Sequence, residues 1–458
     1  MGNALSSSST IVEGLRAELL AEREAHRRTR EELEHTEAAL GRFLPRQFLT
    51  MLGKRHITEV GLGDAIERKL TVVFVDIRDF TPLCEGMTPD ETFRFVNAFI
   101  GALEPEIERH GGFVDKYIGD AIMALFPRSA ADAIAGAQAM LGALARFDAE
   151  RVRSGLTSVR VGIGMHTGIV SLGTVGDATR LETTVLGDTV NVASRVEELT
   201  KVYGVPLLAS GGAIYALGEA PGPTVRFVDR VRVKGRTQPQ SIYELFETDP
   251  PDLRVAKAAT RPTFEEAVAW YHHRAIDRAL PLFEACQSEA PQDQPTRLYL
   301  ERCRAYLAEG RFDGTGEVDG TTAWREEFTV GYGPIDAQHR QLLAAFNRLA
   351  AALKQGDASG VQSILAFADA YAAEHFGLEE GLMRVHGYPF ILEHEREHRA
   401  FVEHFRRLRE QIESGRHELP FLVFLAQIVL IDWFANHSTG TDRHLARFLR
   451  SIEGASPS

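Results

Sequence analysis

Residues 71–81 read TVVFVDIRDFT, and the domain around them is laid out on this run. Val72, Val73, Phe74 and Val75 form a continuous apolar, largely β-branched segment, as in a strand buried on both faces. Asp76 falls where the apolar run ends, ahead of a short polar turn. A carboxylate at a strand end that faces a cleft suits a hard divalent cation, which takes oxygen ligands. A second run, FVDKYIGDAIMALF (113–126), is apolar on both sides of Gly119-Asp120 and reads as a hairpin. Asp76 and Asp120 together can hold two Mg2+ or Mn2+ ions, an arrangement that activates an attacking oxygen and steadies a leaving phosphate. A third run, TTVLGDTVNVASRVEEL (183–199), turns at Gly187-Asp188 and enters a helix. Asn191 and Arg195 are four apart on that helix and share a face.

The bulk numbers set limits. A chain of 458 residues predicts about two to four domains. With 44% hydrophobic and 25% charged residues the composition is that of a globular protein. A net charge of −13 with no basic face argues against a nucleic-acid polymer as partner. Cys84, Cys286 and Cys303 are scattered and form no CxxC pair, which fits a reducing, cytoplasmic compartment. The N-terminus lacks the apolar core of a signal peptide. The best membrane candidate, 421–434, is short and carries Gln427 and Asp432, so it reads as a bundle helix and no transmembrane segment is expected. The opening MGNALS fits the loose N-myristoylation pattern at Gly2, which chance matches easily.

Along the chain, the Ser-rich residues 1–10 are expected to be disordered. Residues 11–43 read as a helix. Val12, Leu19, His26, Leu33 and Leu40 recur every seven residues, but three of the matching d positions are polar (Glu22, Thr29 and Thr36), which makes a weak coiled-coil seam. Residues 44–68 are a connector with Pro45 and several glycines. Thr88-Pro89-Asp90 starts a helix that runs to about Glu108, with Phe93, Val96, Asn97 and Ile100 on one face. Residues 250–262, with three prolines, read as a linker, and 263–310 as two helices broken at Pro291 and Pro295. The latter resemble a tetratricopeptide (TPR)-like helical hairpin, one unit being too few for a solenoid. A second linker covers 311–323. From Trp324 to about residue 453 the pattern becomes four amphipathic helices, near 338–355, 361–386, 389–414 and 419–450. Their short turns imply an all-α, up-down-up-down four-helix bundle.

The three runs of the opening paragraph resemble, in this order, the core of the class III nucleotidyl cyclases. The likeness extends through RVGIGMHTGIVSLGTVG (160–176) and VRVKGRTQPQSIYELF (231–246). It implies a cyclase domain over 69–249, an α+β fold with a ferredoxin-like sheet and flanking helices. The resemblance also implies roles. Asp76 and Asp120 would bind the two Mg2+ or Mn2+ ions. The backbone from Ile77 to Phe80 would cradle the triphosphate. Lys116 and Thr184 would recognise the base, in the adenylyl manner, so ATP is the expected substrate; many adenylyl members have Asp where Thr184 stands. Asn191 and Arg195 would orient the ribose and stabilise charge on the transferred phosphate, and Lys234 would meet the terminal phosphates. In the family the metal carboxylates of one protomer face the Lys, Asn and Arg of another, which implies a homodimer.

A second chemistry lies in the C-terminal third, where nine of sixteen histidines follow Trp324. His375 and Glu379 are spaced i, i+4, and so are His394 and His398, so each pair projects to one side of its helix. His339 opens the first helix. His437 and Asp442 are five apart with Gly440 between them, so the helix is expected to deform there. Five imidazoles and two carboxylates on four helices suit a two-metal site of iron, manganese or zinc. The text WREEFTVGYGPIDAQHRQL, AEHFGLEEGLM, YPFILEHEREH and WFANHSTGTDRHL resembles the hemerythrins from Trp324 to Leu449. That likeness implies two Fe per domain. His394, His398 and His437 would hold one iron, and His339 and His375 the other, which keeps a position open for dioxygen. Glu379 and Asp442 would bridge. Glu380 and Glu397 read as solvated, and His386, His404, His417 and His444 receive no role.

Two functions of different classes follow. One is an adenylate cyclase whose output is set by a di-iron domain that binds oxygen or senses redox state, with a variant in which the bundle senses iron or nitric oxide. The other is an oxygen- or iron-binding hemerythrin with an inactive cyclase domain as dimeriser. Guanylate cyclase activity is the remaining alternative.

Overall fold

The computed structural model describes residues 2–41, 45–177, 179–218, 222–232, 239–314 and 321–453. Lys234 lies outside the described residues, as does the middle of the 311–323 linker. The chain divides into two compact units, Met1–Ile66 with Ser171–Val185, and Glu67–Val170 with Leu186–Ser458.

The first unit opens with helix α1 (Gly2–Leu40). The expected disorder of 1–10 is therefore corrected: no proline interrupts the stretch, and serine is only mildly unfavourable in a helix. Leu19, Leu33 and Leu40, three of the seven-spaced positions, are exposed on it. A short helix, α2 (Arg46–Met51), buries Phe48. The Asp64 carboxylate pairs with Lys54 at 2.9 Å, and the Thr174 hydroxyl donates to the Gly61 carbonyl at 2.6 Å.

The second unit is built on one sheet. Its elements are β1 (Ala65–Ile77), α3 (Phe80–Cys84), α4 (Pro89–Arg109), β2 (Phe113–Ile118), β3 (Ala121–Phe126), α5 (Ala130–Arg153), the first part of β4 (Val161–Gly176), α6 (Asp188–Tyr203), β6 (Leu207–Ser210), α7 (Gly211–Tyr215), β7 (Val225–Arg232) and β8 (Pro239–Leu245), while the rest of β4 and β5 (Leu181–Leu186) fall in the first unit. The strand order is β2-β3-β1-β4-β6-β8-β7, with β5 added to β4. Alternation along the strands sends side chains to opposite faces. Val73, Val75 and Ile77 enter one core with α4 and α5, while Leu208 and Val228 enter another with Val192 and Val196 of α6.

Local chemistry sets these elements. At the start of α4 the Thr88 hydroxyl accepts from the Glu91 amide, and the Glu91 carboxylate accepts from the Thr88 amide. That reciprocal cap satisfies two helix-end donors. The buried face of α4 is Phe95, Phe99, Leu103 and Ile107, one step round from the face expected: Phe93 is 70% exposed. The β-strand glycine Gly164 lets α6 lie directly on β4, since a Cβ there would sit 2.0 Å from the Glu197 backbone nitrogen.

The stretch expected as a linker over 250–262 is instead the first half of α8 (Pro251–His272), which runs through Pro262. Two more helices follow, α9 (Ile276–Glu289) and α10 (Gln294–Glu309). The region therefore has three helices where two were expected. Tertiary packing holds the proline-bearing helix in place. Phe264, Trp270, Phe283 and Tyr299 share a core with Phe227 of the sheet. Lys257 of α8 ion-pairs with Glu244 and Asp249 at 2.6 Å, and buried Arg226 pairs with Glu244 and Asp293.

Four long helical stretches end the chain: α11 (Gly333–Gln355), α12 (Ala358–His386), α13 (Ile391–Glu413) and Leu419–Glu453. Their shared core includes Leu342, Phe346, Leu365, Phe376, Phe401 and Trp433. The last stretch is long and apolar enough to cross a membrane, but 72% of its apolar window is buried inside the protein. It comprises α14 (Leu419–Ala426), α15 (Trp433–His437) and α16 (Arg443–Glu453), joined by wider π-helical turns at Gln427–Asp432 and Ser438–Asp442. The deformation expected between His437 and Asp442 is thus present. A π turn brings residues five apart onto one side.

Two stability predictions follow. Gly164→Ala forces α6 off the sheet and lowers unfolding free energy by about 1–3 kcal/mol in urea titrations. Gly101→Ala, where a Cβ meets nothing within 4 Å in the middle of α4, has the opposite sign. His404 is buried against Tyr215, with ring centroids 5.6 Å apart, and burial pushes its imidazole from the ordinary 6.5 down to about 4. The folded state therefore binds fewer protons than the unfolded state in this window. Stability falls as pH drops from 6.5 to about 4, by up to about 3 kcal/mol. In urea titrations across that window, His404→Phe loses less.

Candidate active site and metal centre

The antiparallel register of β1 and β3 pairs Val75 with Ile122. One step further on, Asp76 and Asp120 arrive together at the same sheet edge. Gly119, at φ +65°, makes the tight turn that delivers Asp120. The two carboxyl groups are within hydrogen-bonding reach. Burial, and then the adjacent Asp120, pushes Asp76 up to about 6, and burial raises Asp120 too. Two acids crowded in this way repel as anions, and a divalent cation between them reverses the sign. The donor set therefore fits Mg2+ or Mn2+. Sequence reasoning missed Glu197, on α6. Its carboxyl is pushed up to about 7, first by burial and then by Asp76.

The other expected residues occupy separate places. Ile77 is buried, and Phe80 is half-buried and stacks on Phe95 at 6.5 Å. Asp79 between them takes a left-handed backbone, φ 55°. Lys116 lies on β2, 3.5 Å from Asp115, and Thr184 is half-buried on β5. Asn191 is exposed on α6, and Arg195 pairs with Glu198 at 2.5 Å on the same outward side. Among the described residues, no hydrogen bond or ion pair joins Asn191 or Arg195 to the aspartate pair within the single chain.

The histidine cluster is tighter. His339, His375, Glu379 and Asp442 form one buried group, and Glu379, His394, His398 and His437 a second. Each carboxylate turns one oxygen to each group. Asp442 Oδ2 is 3.1 Å from His339 Nε2, and its Oδ1 is 3.2 Å from His394 Nε2 and 2.9 Å from His437 Nε2. Glu379 Oε1 is 3.7 Å from His375 Nε2, and its Oε2 is 3.4 and 3.1 Å from His394 and His398 Nε2. Donors on one metal at bonds of about 2.0–2.2 Å lie about 3 Å apart, as these do. The Nε2 atoms of His339, His394 and His437 and both Asp442 oxygens are buried without a hydrogen-bond partner among the described residues. Such orphaned polar atoms fit ions rather than each other. Burial pushes His375 down to about 4 and lowers His398 as well, a direction that favours the neutral imidazole a ligand needs.

A second layer orients the rings, and here the expectations for two acids are corrected. Glu380 accepts from His398 Nδ1 at 3.2 Å and Glu397 from His437 Nδ1 at 2.6 Å. Gln338 accepts from His375 Nδ1 at 3.1 Å. With Nδ1 protonated in each, Nε2 is left to ligate. Both acids lie within one turn of a ligand, and that adjacency was the available signal. His404 and His444, given no role, are buried and partnered. Tyr388 Oη meets His444 Nδ1 at 2.6 Å.

Comparison with known proteins now bears on both sites. Residues 65–246 match the family described as adenylate and guanylate cyclase catalytic domain. Residues 330–449 match the hemerythrin HHE cation-binding domain. The chain carries both domains. Among curated relatives, "Adenylate cyclase, terminal-differentiation specific" of Dictyostelium discoideum is 36% identical over 59% of this chain and 13% of its own length. "Adenylate cyclase" of Anabaena cylindrica is 42% identical over 46% of this chain and 44% of its own. The chain thus spans less than half the length of either. A solved bacterial light-regulated adenylyl cyclase aligns at TM-score 0.42 with 23% identity, over 48% of this chain and 64% of that one.

Within the second unit, residues 67–170 and 186–246 of the cyclase match pack with the whole of the hemerythrin match. Arg230 of β7 grips Asp432 with two hydrogen bonds of 2.7 and 2.8 Å. Ser241 of β8 and Gln427 complete the shell of that buried acid. Tyr215 donates to the Ile428 carbonyl at 2.8 Å, in the π turn where the helix widens. Arg230→Ala leaves Asp432 buried without a cation and is expected to cost about 3–5 kcal/mol in urea unfolding. The double change Arg230→Met with Asp432→Leu recovers most of that loss.

Proposed function

We propose that the chain is an adenylate cyclase, converting ATP to 3′,5′-cyclic AMP and pyrophosphate, and that a di-iron centre in its hemerythrin domain regulates it by binding dioxygen or following redox state. The convergence of Asp76 and Asp120 at one sheet edge, inside the region that matches the cyclase family, carries the enzymatic half. The seven buried donors carry the regulatory half. The names of the Dictyostelium and Anabaena relatives favour ATP over GTP.

Asp76 and Asp120 would hold two Mg2+ or Mn2+ ions, which when bound would supply the positive charge that favours ionisation of the 3′ hydroxyl and departure of pyrophosphate. The backbone from Ile77 to Phe80 holds the triphosphate. Lys116 and Thr184 read the adenine. Asn191 and Arg195 orient the ribose and meet the charge developing on the transferred phosphate, a role worth about 10²–10³ in rate for one such donor. Lys234 meets the terminal phosphates. Because Asn191 and Arg195 face outward, they serve the aspartates of a second copy, and the working form is a homodimer with two equivalent sites. The exposed leucines of α1 support a parallel coiled coil in that dimer.

In the hemerythrin domain the four stretches form an up-down-up-down bundle. His394, His398 and His437 would hold one iron and His339 and His375 the other, with Glu379 and Asp442 within reach of both groups; an iron pair held there would supply a site for dioxygen. Helices α8 to α10 act as a TPR-like spacer that fixes the two domains to each other. We place the chain in the cytoplasm, where ATP is available.

The test is turnover. The purified chain with ATP and Mn2+ makes cyclic AMP. Asp120→Ala abolishes this and still binds two irons per chain. Mixing Asp120→Ala with Arg195→Ala restores part of the rate, because a heterodimer has one intact site. Iron loss in Asp120→Ala, or no restoration on mixing, contradicts the proposal.

A further inference from the structure

The strand that ends at Asp76 begins with two charged residues against the hemerythrin domain. Glu67 and Lys69, two apart on β1, share a side. Glu67 pairs with Arg447 at 3.0 Å and with His444 Nε2 at 3.2 Å on α16. Lys69 ion-pairs with Glu397 of α13, both side chains being 13% exposed. Lys69 also lines a cavity of about 10 Å³ with Tyr388, Glu393, His394 and Thr441, too small for more than a single water.

Glu397 has two sides. Its Oε1 takes the Lys69 ammonium. Its Oε2 accepts from His437 Nδ1 at 2.6 Å and from the Thr441 hydroxyl at 2.9 Å. A carboxylate on the far nitrogen of a ligating imidazole raises the basicity of the ligating one. How strongly Glu397 does so depends on how much of its charge Lys69 already holds. One carboxylate is thus divided between a metal ligand and the first residues of the catalytic strand. We infer that Lys69 is a positioning residue of the iron centre, and that the Lys69–Glu397–His437 chain carries the state of that centre into the strand of Asp76. The inference rests on the iron-loaded reading proposed above.

The direction of action follows from charge. When the ligand set becomes more or less electron-rich, the pull of His437 on Glu397 changes, and the Lys69 ion pair tightens or slackens in compensation. Lys69 lies on a hydrogen-bonded central strand flanked by β3 and β4, so its displacement reaches Asp76, seven residues or about 23 Å along the same backbone. The Arg230–Asp432 pair ties the same two domains, but its carboxylate is spent on Arg230, Ser241 and Gln427 and meets no ligand histidine.

The experiment uses the full chain loaded with iron, and the variants Lys69→Met, Lys69→Arg and Glu397→Gln. Two quantities are read: the iron–ligand absorption bands, and the ratio of cyclase rates in air and in reduced, anaerobic solution. Lys69→Met is expected to bind iron, shift the bands and bring the ratio to one. Lys69→Arg keeps both near the parent. Glu397→Gln, which keeps size and removes charge, reproduces the Lys69→Met result and serves if that variant does not fold. Parental bands and a parental ratio in Lys69→Met, with iron loaded, overturn the inference alone. A parent chain that binds no iron, or whose rate ignores oxygen, ends the underlying reading and the inference with it.

Discussion

Eleven residues of the last helical stretch, Asp432 to Asp442, must satisfy two neighbours at once. Asp432 is held by Arg230 of the cyclase sheet, while His437 and Asp442 face the other donors of the metal centre. A regular α-helix advances about 100° per residue and cannot point all three where they are needed. The backbone widens twice, at Gln427–Asp432 and Ser438–Asp442, and the Ile428 carbonyl accepts from Tyr215 of the cyclase domain. The same two deformations therefore help to gather the histidine and carboxylate donors and join them to the sheet.

Much of this architecture was legible in the sequence, for identifiable reasons. The strand through Val75 and the turn at Gly119 are local signals, and both Asp76 and Asp120 arrive where those signals put them. The Thr88 cap is local too. The seven histidine and carboxylate donors are spaced for one face of each helix, so four helices that pack at all bring them together. Even the π turn was foreshadowed, because His437 and Asp442 are one residue too far apart for an α-helical turn.

What escaped depends on what faces a residue across the fold. Glu397 is flanked by charge in sequence and reads as solvent-facing, yet it meets Lys69, more than 300 residues away in the chain. Asp432 weakened a membrane reading of its segment without revealing Arg230. Pro262 reads as a helix breaker, and only burial of the flanking aromatic residues against β7 and the last helix keeps α8 whole. On α4 the apolar face lies one step round from the expected one, because Phe93 and Phe95 are equally apolar and only Phe95 meets the core.

On the proposed function, the nucleotide site and the iron centre are coupled. Thermodynamic linkage makes such coupling reciprocal, so an effector that alters nucleotide binding must be altered by nucleotide to the same degree. The most direct measurement is therefore the oxygen affinity of the iron-loaded chain with and without a saturating ATP analogue lacking the 3′ hydroxyl, in the presence of Mn2+. The account predicts that the half-saturating oxygen pressure shifts by at least about fivefold, the lower end of ordinary coupling energies. An oxygen-binding curve that superposes in the two conditions would contradict it.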